Sequence, residues 1–269
     1  MKKLALVFLL MGSAVFAQKQ ETRQVQDFSA VQVSQSVQLD FTFGGAKSVE
    51  VQVQNEGDLQ YVKTEVKNGV LQVYIDKPKG VFNTSINGVQ VKVSNPTLTG
   101  AYVSSSAKFN VKNKVVAKDF KATASSSGKF EADWIQSDNL TLTASSSSKI
   151  EGKFEVANSA SIEASSSAKI DLDLKGNKVE VTASSSSKIE MEGTAKDVSA
   201  TVSSSAQIEG KDWTIHTLNA KASSSASMRL TVTKEVIGKA SSSGKISIYG
   251  SASLVDVKKS SGGKIEIVK

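Results

Sequence analysis

Two residue patterns recur at a spacing that could do chemistry: serines in blocks of three, and a lysine two places before a carboxylate. The blocks begin at Ser104, Ser125, Ser145, Ser165, Ser184, Ser203, Ser223 and Ser241, with a ninth, shorter copy at Ser260. A serine attacks a substrate only with a base beside it. The chain holds one histidine, His216, so a Ser-His-Asp arrangement accounts for one block at most. No residue is assigned a catalytic role. The acidic column, Glu131, Glu151, Asp171, Glu190 and Glu209, would repel itself by roughly 1 kcal/mol per neighbouring pair at a spacing of ~5 Å. Either a row of calcium ions or Lys129, Lys149, Lys169 and Lys188 two places away relieves that. Pairing across strands is the expectation, with no metal and no cofactor. A third candidate is aromatic. Trp134 and Trp213 are read as matching places in loop segments, where an exposed ring would hold a sugar. Lys129, Lys149, Lys169, Lys188, Glu131, Glu151, Asp171, Glu190, Trp134 and Trp213 are thus the candidate binding residues.

The elements that position these residues follow from the period. Successive blocks begin 21, 20, 20, 19, 19, 20, 18 and 19 residues apart, the mark of a solenoid. Five and three places before the block the columns are largely apolar, for example Leu140 and Leu142, and a mostly polar column follows at two places before it. That alternation is a strand with one face inward. Five places after the first serine stands an apolar residue in every copy, including Ile150, Ile170, Ile189 and Ile208. Serine triplets and strand periodicity argue against helices. The expected fold is all-β: a single-stranded parallel β-helix, right-handed, of about nine coils of 18–21 residues with an N-terminal β-hairpin cap. Two strands meet at each serine corner, and about ten residues return. Parity turns the middle serines inward as a ladder of buried hydroxyls: Ser105, Ser126, Ser146, Ser166, Ser185, Ser204, Ser224, Ser242 and Ser261. On that reading Ser146→Val costs more stability than Ser145→Val.

Along the chain, residues 1–17 carry Lys2 and Lys3, the apolar run Leu4–Met11 and a small-residue cleavage site at Val15-Phe16-Ala17, the pattern of an export signal. Residues 18–24 are expected to be a flexible tail, 25–98 the cap and 99–269 the repeats. In the cap, Gly44-Gly45 and Asn68-Gly69 stand at hairpin positions between apolar runs, and Asn87-Gly88 precedes the run Val89–Val93. Cysteine is absent, which removes disulfides and thiolate metal sites. Without the signal, 31 basic residues face 26 acidic ones. They are interspersed, which speaks against nucleic acid as a partner, and no second apolar run would span a membrane. The last coil is expected to lie bare and to favour self-association.

The export signal, the turn at Asn68-Gly69 followed by Leu71, and stacked copies of small-Ser-small before Lys-Ile resemble the auto-transporter adhesin head domain family, the GIN domain. The resemblance covers about residues 28–267. It implies a right-handed β-helix at the cell surface or in the periplasm, with no known substrate or catalytic residue. The function expected is non-catalytic, adhesin-like binding of polysaccharide, matrix or a second copy through a regular outer face. The alternative is a β-helical lyase or glycoside hydrolase.

Overall fold

The computed structural model describes residues 19–77 and 86–268; the expected export signal and Pro78 lie outside them. From the first serine block onward the chain is a stack of long strands: β9 (Lys108–Ala124), β10 (Lys129–Ala144), β11 (Lys149–Ala164), β12 (Lys169–Ala183), β13 (Lys188–Val202), β14 (Gln207–Ala222) and β15 (Ser227–Ala240), then β16 (Lys245–Tyr249), β17 (Ser253–Lys259) and β18 (Lys264–Ile267). Each pairs in parallel with the next coil, with Ile150 opposite Ile170, Ile170 opposite Ile189 and Ile189 opposite Ile208. These isoleucines are fully buried. They continue upward into Phe130, Phe109 and Leu39, where Phe109 and Phe130 meet edge to face at 5.6 Å. The core is therefore one spine of stacked identical positions.

The expected return loops are absent. From β9 to β15 the residues between one serine block and the next form one bent strand, and register slips such as those at Ala132/Ile135 and Glu190/Gly193 absorb the bends; after Ser241 residues 250–252 part β16 from β17. Extended backbone keeps most N–H and C=O groups in the ladder, which a loop of ten residues would not.

The serine corners differ more sharply from expectation. At each, the second and third serines both have positive φ, for example 53° at Ser146 and 59° at Ser147, and the N–H of the fourth residue closes on the first serine, as in Ala168 N to Ser165 O at 3.1 Å. That is the type I′ turn usually built from Asn-Gly, and Asn68 (52°) with Gly69 (73°) makes it too. Two consecutive left-handed residues break strand parity. The middle serines, Ser105, Ser126, Ser146, Ser166, Ser185, Ser204, Ser224, Ser242 and Ser261, consequently point outward and are exposed. The inward position belongs to the fourth residue. In two coils it is a serine whose hydroxyl donates to the coil above, Ser148 to Ala124 O at 2.8 Å and Ser187 to Ala164 O at 2.9 Å. The ladder at the corner runs through the backbone instead: the N–H of each third serine donates to the middle serine's carbonyl one coil on, as from Ser147 to Ser166 at 3.0 Å and from Ser167 to Ser185 at 3.0 Å.

The N-terminal region is interleaved with the stack. It contains β1 (Lys19–Thr22), β2 (Ala30–Val33), β3 (Gln38–Phe43), β4 (Ser48–Val53), β5 (Val62–Lys67), β6 (Val70–Ile75), β7 (Gln90–Asn95) and β8 (Gly100–Val103). Ser34-Gln35-Ser36-Val37 between β2 and β3 is a further corner of the same kind, with φ of 59° at Gln35 and Ser36 and Ser36 N donating to Ser105 O at 2.9 Å. Strands β2 and β3 lie under β8 and β9 on one side and under β6 and β7 on the other. Gly44-Gly45 therefore does not close a hairpin: β7 inserts between β3 and β4, antiparallel to β4. The outermost layer is antiparallel, with β5 on β6 and β1 on β4. Residues 19–22 are thus a strand rather than a tail.

Candidate functional site

The lysine and carboxylate columns lie on the outer face of the strand segment after the corner, and they interlock. Lys129 contacts Glu131 of its own coil and Glu151 of the next at 3.2 Å. Lys169 does the same with Asp171 at 3.5 Å and with Glu190. Lys149 meets Glu151, Lys188 meets Glu190 at 2.6 Å, and Arg229 meets Glu209 at 2.7 Å. Partial burial pushes the Glu131 and Glu151 carboxyls up, but the surrounding lysines outweigh it and hold both below the usual range. Hydrogen bonds from Lys169 and Lys188 lower Glu190. The hydrogen bonds from Lys264 and Lys245 take the half-buried Glu266 down to about 2. Among the described residues no cluster of three acidic or histidine ligands forms. A stripe whose charges are already paired offers a ligand little net field.

The tryptophans do not share a place. The column Ile135, Phe154, Leu174, Gly193, Trp213 is one inward row, and Trp134 sits one residue before it, opposite Lys114. A shift of one residue in a strand turns a side chain to the other face. Trp213 is fully buried, so it cannot meet a sugar. Trp134 is half-buried under the Lys114 ammonium, 3.9 Å from its ring centroid. The signal that would have separated them is the count from the corner: Trp134 stands nine places after Ser125 and Trp213 ten places after Ser203, while β10 and β14 carry the same extra residue before the inward row.

What the columns did not disclose is a groove. It runs along the solenoid axis over the strand segments before the corner, from β10 to β15, with a volume near 570 Å³. Its floor is the backbone beside the buried column Leu140, Ala160, Val179, Val198 and Leu218. One wall is Asn139, Ser159, Lys178, Asp197, Thr217 and Glu235; the other is Thr141, Ser161, Glu180, Ser199, Asn219 and Ile237. The walls differ in how they are satisfied. On the first, neighbours bond along the axis: Asn139 donates to Asp119 at 2.8 Å, Ser159 to Asn139 at 3.0 Å, and Thr217 to Asp197 at 2.6 Å. On the second, exposed Thr141, Ser161, Glu180, Ser199 and Asn219 have no side-chain partner among the described residues. A second groove of about 520 Å³ beyond the first wall includes exposed His216 and the hydroxyl of buried Ser137, which has no partner. Among the described residues no serine or threonine hydroxyl is hydrogen-bonded to His216.

The sequence profile of the family described as "Putative auto-transporter adhesin, head GIN domain" matches residues 27–158 and 151–252. No curated protein matches. The fold is similar to solved structures titled "putative adhesin" from Parabacteroides merdae (TM-score 0.70, 17% identity, 94% of this chain and 96% of that one) and Parabacteroides distasonis (0.72, 19%, 94% and 97%). A third, titled "Putative lipid binding protein", also from Parabacteroides distasonis, aligns at 0.65 with 19% identity over 94% and 97%.

Proposed function

Because the chain belongs to the auto-transporter adhesin head GIN domain family, we propose that it acts outside the cytoplasm as a non-catalytic binding protein and that the axial groove holds an extended polysaccharide. The observation that supports this reading is the unsatisfied wall. Thr141, Ser161, Glu180, Ser199 and Asn219 present hydroxyl, carboxylate and amide groups at one coil intervals beside a floor of strand backbone. The coil rise, ~4.8 Å, is close to one sugar unit of an extended glycan. Hydroxyls of such a chain would meet a polar group at every coil while its rings lie along the backbone floor between the two walls. The paired lysine-glutamate stripe is left as a solubilising face.

The test is a glycan array followed by calorimetry on the best hit, with the wild type and Ser199→Arg, an exposed change that fills the groove. Saturable binding lost in Ser199→Arg supports the groove. Binding that survives the substitution places the site elsewhere, and no binding to any glycan removes the reading. Release of shortened product from the bound glycan would assign the chain to the lyase or hydrolase class instead.

A further inference from the structure

The last coil carries two strands whose outer edges are unpaired among the described residues: β17 bonds only β15, and β18 bonds only β16. Free edges invite another chain, and here both edges have a sequence that reads as its own complement. Around Val257 stand Asp256 and Lys258; around Ile265 stand Lys264 and Glu266. When such a strand pairs antiparallel with a copy of itself centred on the apolar residue, Asp256 falls opposite Lys258 and Lys264 opposite Glu266, each on the outer face. The backbone agrees. Ser260 and Lys264 give their N–H groups to Ala240 O and Gly244 O of the preceding coil, at 3.0 and 2.9 Å. Strand alternation then turns the N–H and C=O of Val257 and Ile265 toward the free edge.

Both centres also lie on one line through the coil. A methyl placed on Gly238 would lie 3.0 Å from Ile265 Cδ1 and 3.7 Å from Val257 Cγ1, so both side chains reach the same place beside Gly238. One two-fold axis through that point passes through both strands. The geometry points to a head-to-head dimer in which the C-terminal coils of two copies of this chain join through β17 and β18 at once. Such an interface is isologous and closes at two. It would cover Val257 and Ile267, 38% and 42% exposed in the single chain. The dimer is independent of the polysaccharide reading, since the groove lies on the side of the stack.

Sedimentation equilibrium with charge variants tests it. The wild type is expected to show monomer and dimer and nothing larger. Asp256→Lys and Lys258→Asp each place like charges opposite one another twice, and each is expected to weaken self-association roughly tenfold. An equimolar mixture of the two restores opposite pairs at both places, so it should associate as the wild type does, as should the doubly swapped chain. Both positions are exposed, and circular dichroism checks that each variant stays folded. Should a single variant unfold, the double swap carries the test alone. A wild type that stays monomeric or forms larger assemblies overturns the dimer. So do single variants that associate like the wild type, or a mixture or double swap that associates no better than the single variants.

Discussion

Serine is an odd choice for the corners. At Ser146 and Ser147 φ is 53° and 59°, a region that costs a residue with a Cβ about 1 kcal/mol or more and that asparagine and glycine enter more readily. The cost recurs at each corner and is offset by the backbone ladder that the turn keeps intact. Replacing Ser146-Ser147 by Asn-Gly should therefore raise the urea midpoint, with a gain of about 1 kcal/mol in unfolding free energy at one corner. Ser147→Val should lower it by more than Ser145→Val does, because a β-branched side chain resists positive φ most. Equal effects of the two valines would mean that the corner is not left-handed. The earlier expectation that Ser146 is buried fails for the same reason. Counting by twos holds only while the backbone stays extended, and a φ sign is not visible in alternation.

At the scale of the strand, the ion-pair stripe should make stability depend on pH in a calculable direction. Glu131, Glu151 and Glu190 have carboxyl pKa values lowered from 4.5 by their lysines, so the folded state binds fewer protons than the unfolded one. The stabilisation is complete above about pH 4.5 and is lost as pH falls through the lowered values. Lys129 and Lys169 are raised above 10.5 by the hydrogen bonds they donate to Glu131 and Glu190 respectively; their contribution is complete below that value and fades as pH rises past it. A melting series from pH 7 to pH 3 should fall below pH 4.5, and Glu190→Gln should flatten part of that fall. A series with no slope there would show that the pairs are not formed in solution. The inward row makes a second prediction. Trp213→Ala empties a fully buried site and should cost about 3–5 kcal/mol, whereas Trp134→Ala, half-exposed under Lys114, should cost far less in the same denaturation experiment.

The whole molecule is nearly one-dimensional: each coil touches only its neighbours, so stability is close to a sum over coils and interfaces. Deleting residues 165–183 joins Ala164 to Ser184, preserves the phase of every column and should leave a protein that still unfolds in one transition, as followed by circular dichroism. Deleting half that span would put apolar residues outside and should prevent folding. The N-terminal layer is not exchangeable in this way. Strands β2 and β3 are locked between β6, β7 and the first repeats, so losing residues 30–43 should abolish folding.

Periodicity alone determined the solenoid, the isoleucine spine and the lysine-glutamate stripe, because a residue repeated once per coil must stack on itself whatever the corner's geometry. Tertiary structure decided the rest. The corner at Ser34 lies 70 residues before Ser104, beyond any period, although Val31, Val33, Val37 and Leu39 match the inward columns; only the fold shows β6 and β7 filling the interval. Trp213 and Trp134 look equivalent until the inward row is placed ten residues after the corner in both coils, where it holds Trp213 and Ile135. The groove depends on where the strands bend, and a bend is absorbed by register slips that no residue pattern marks.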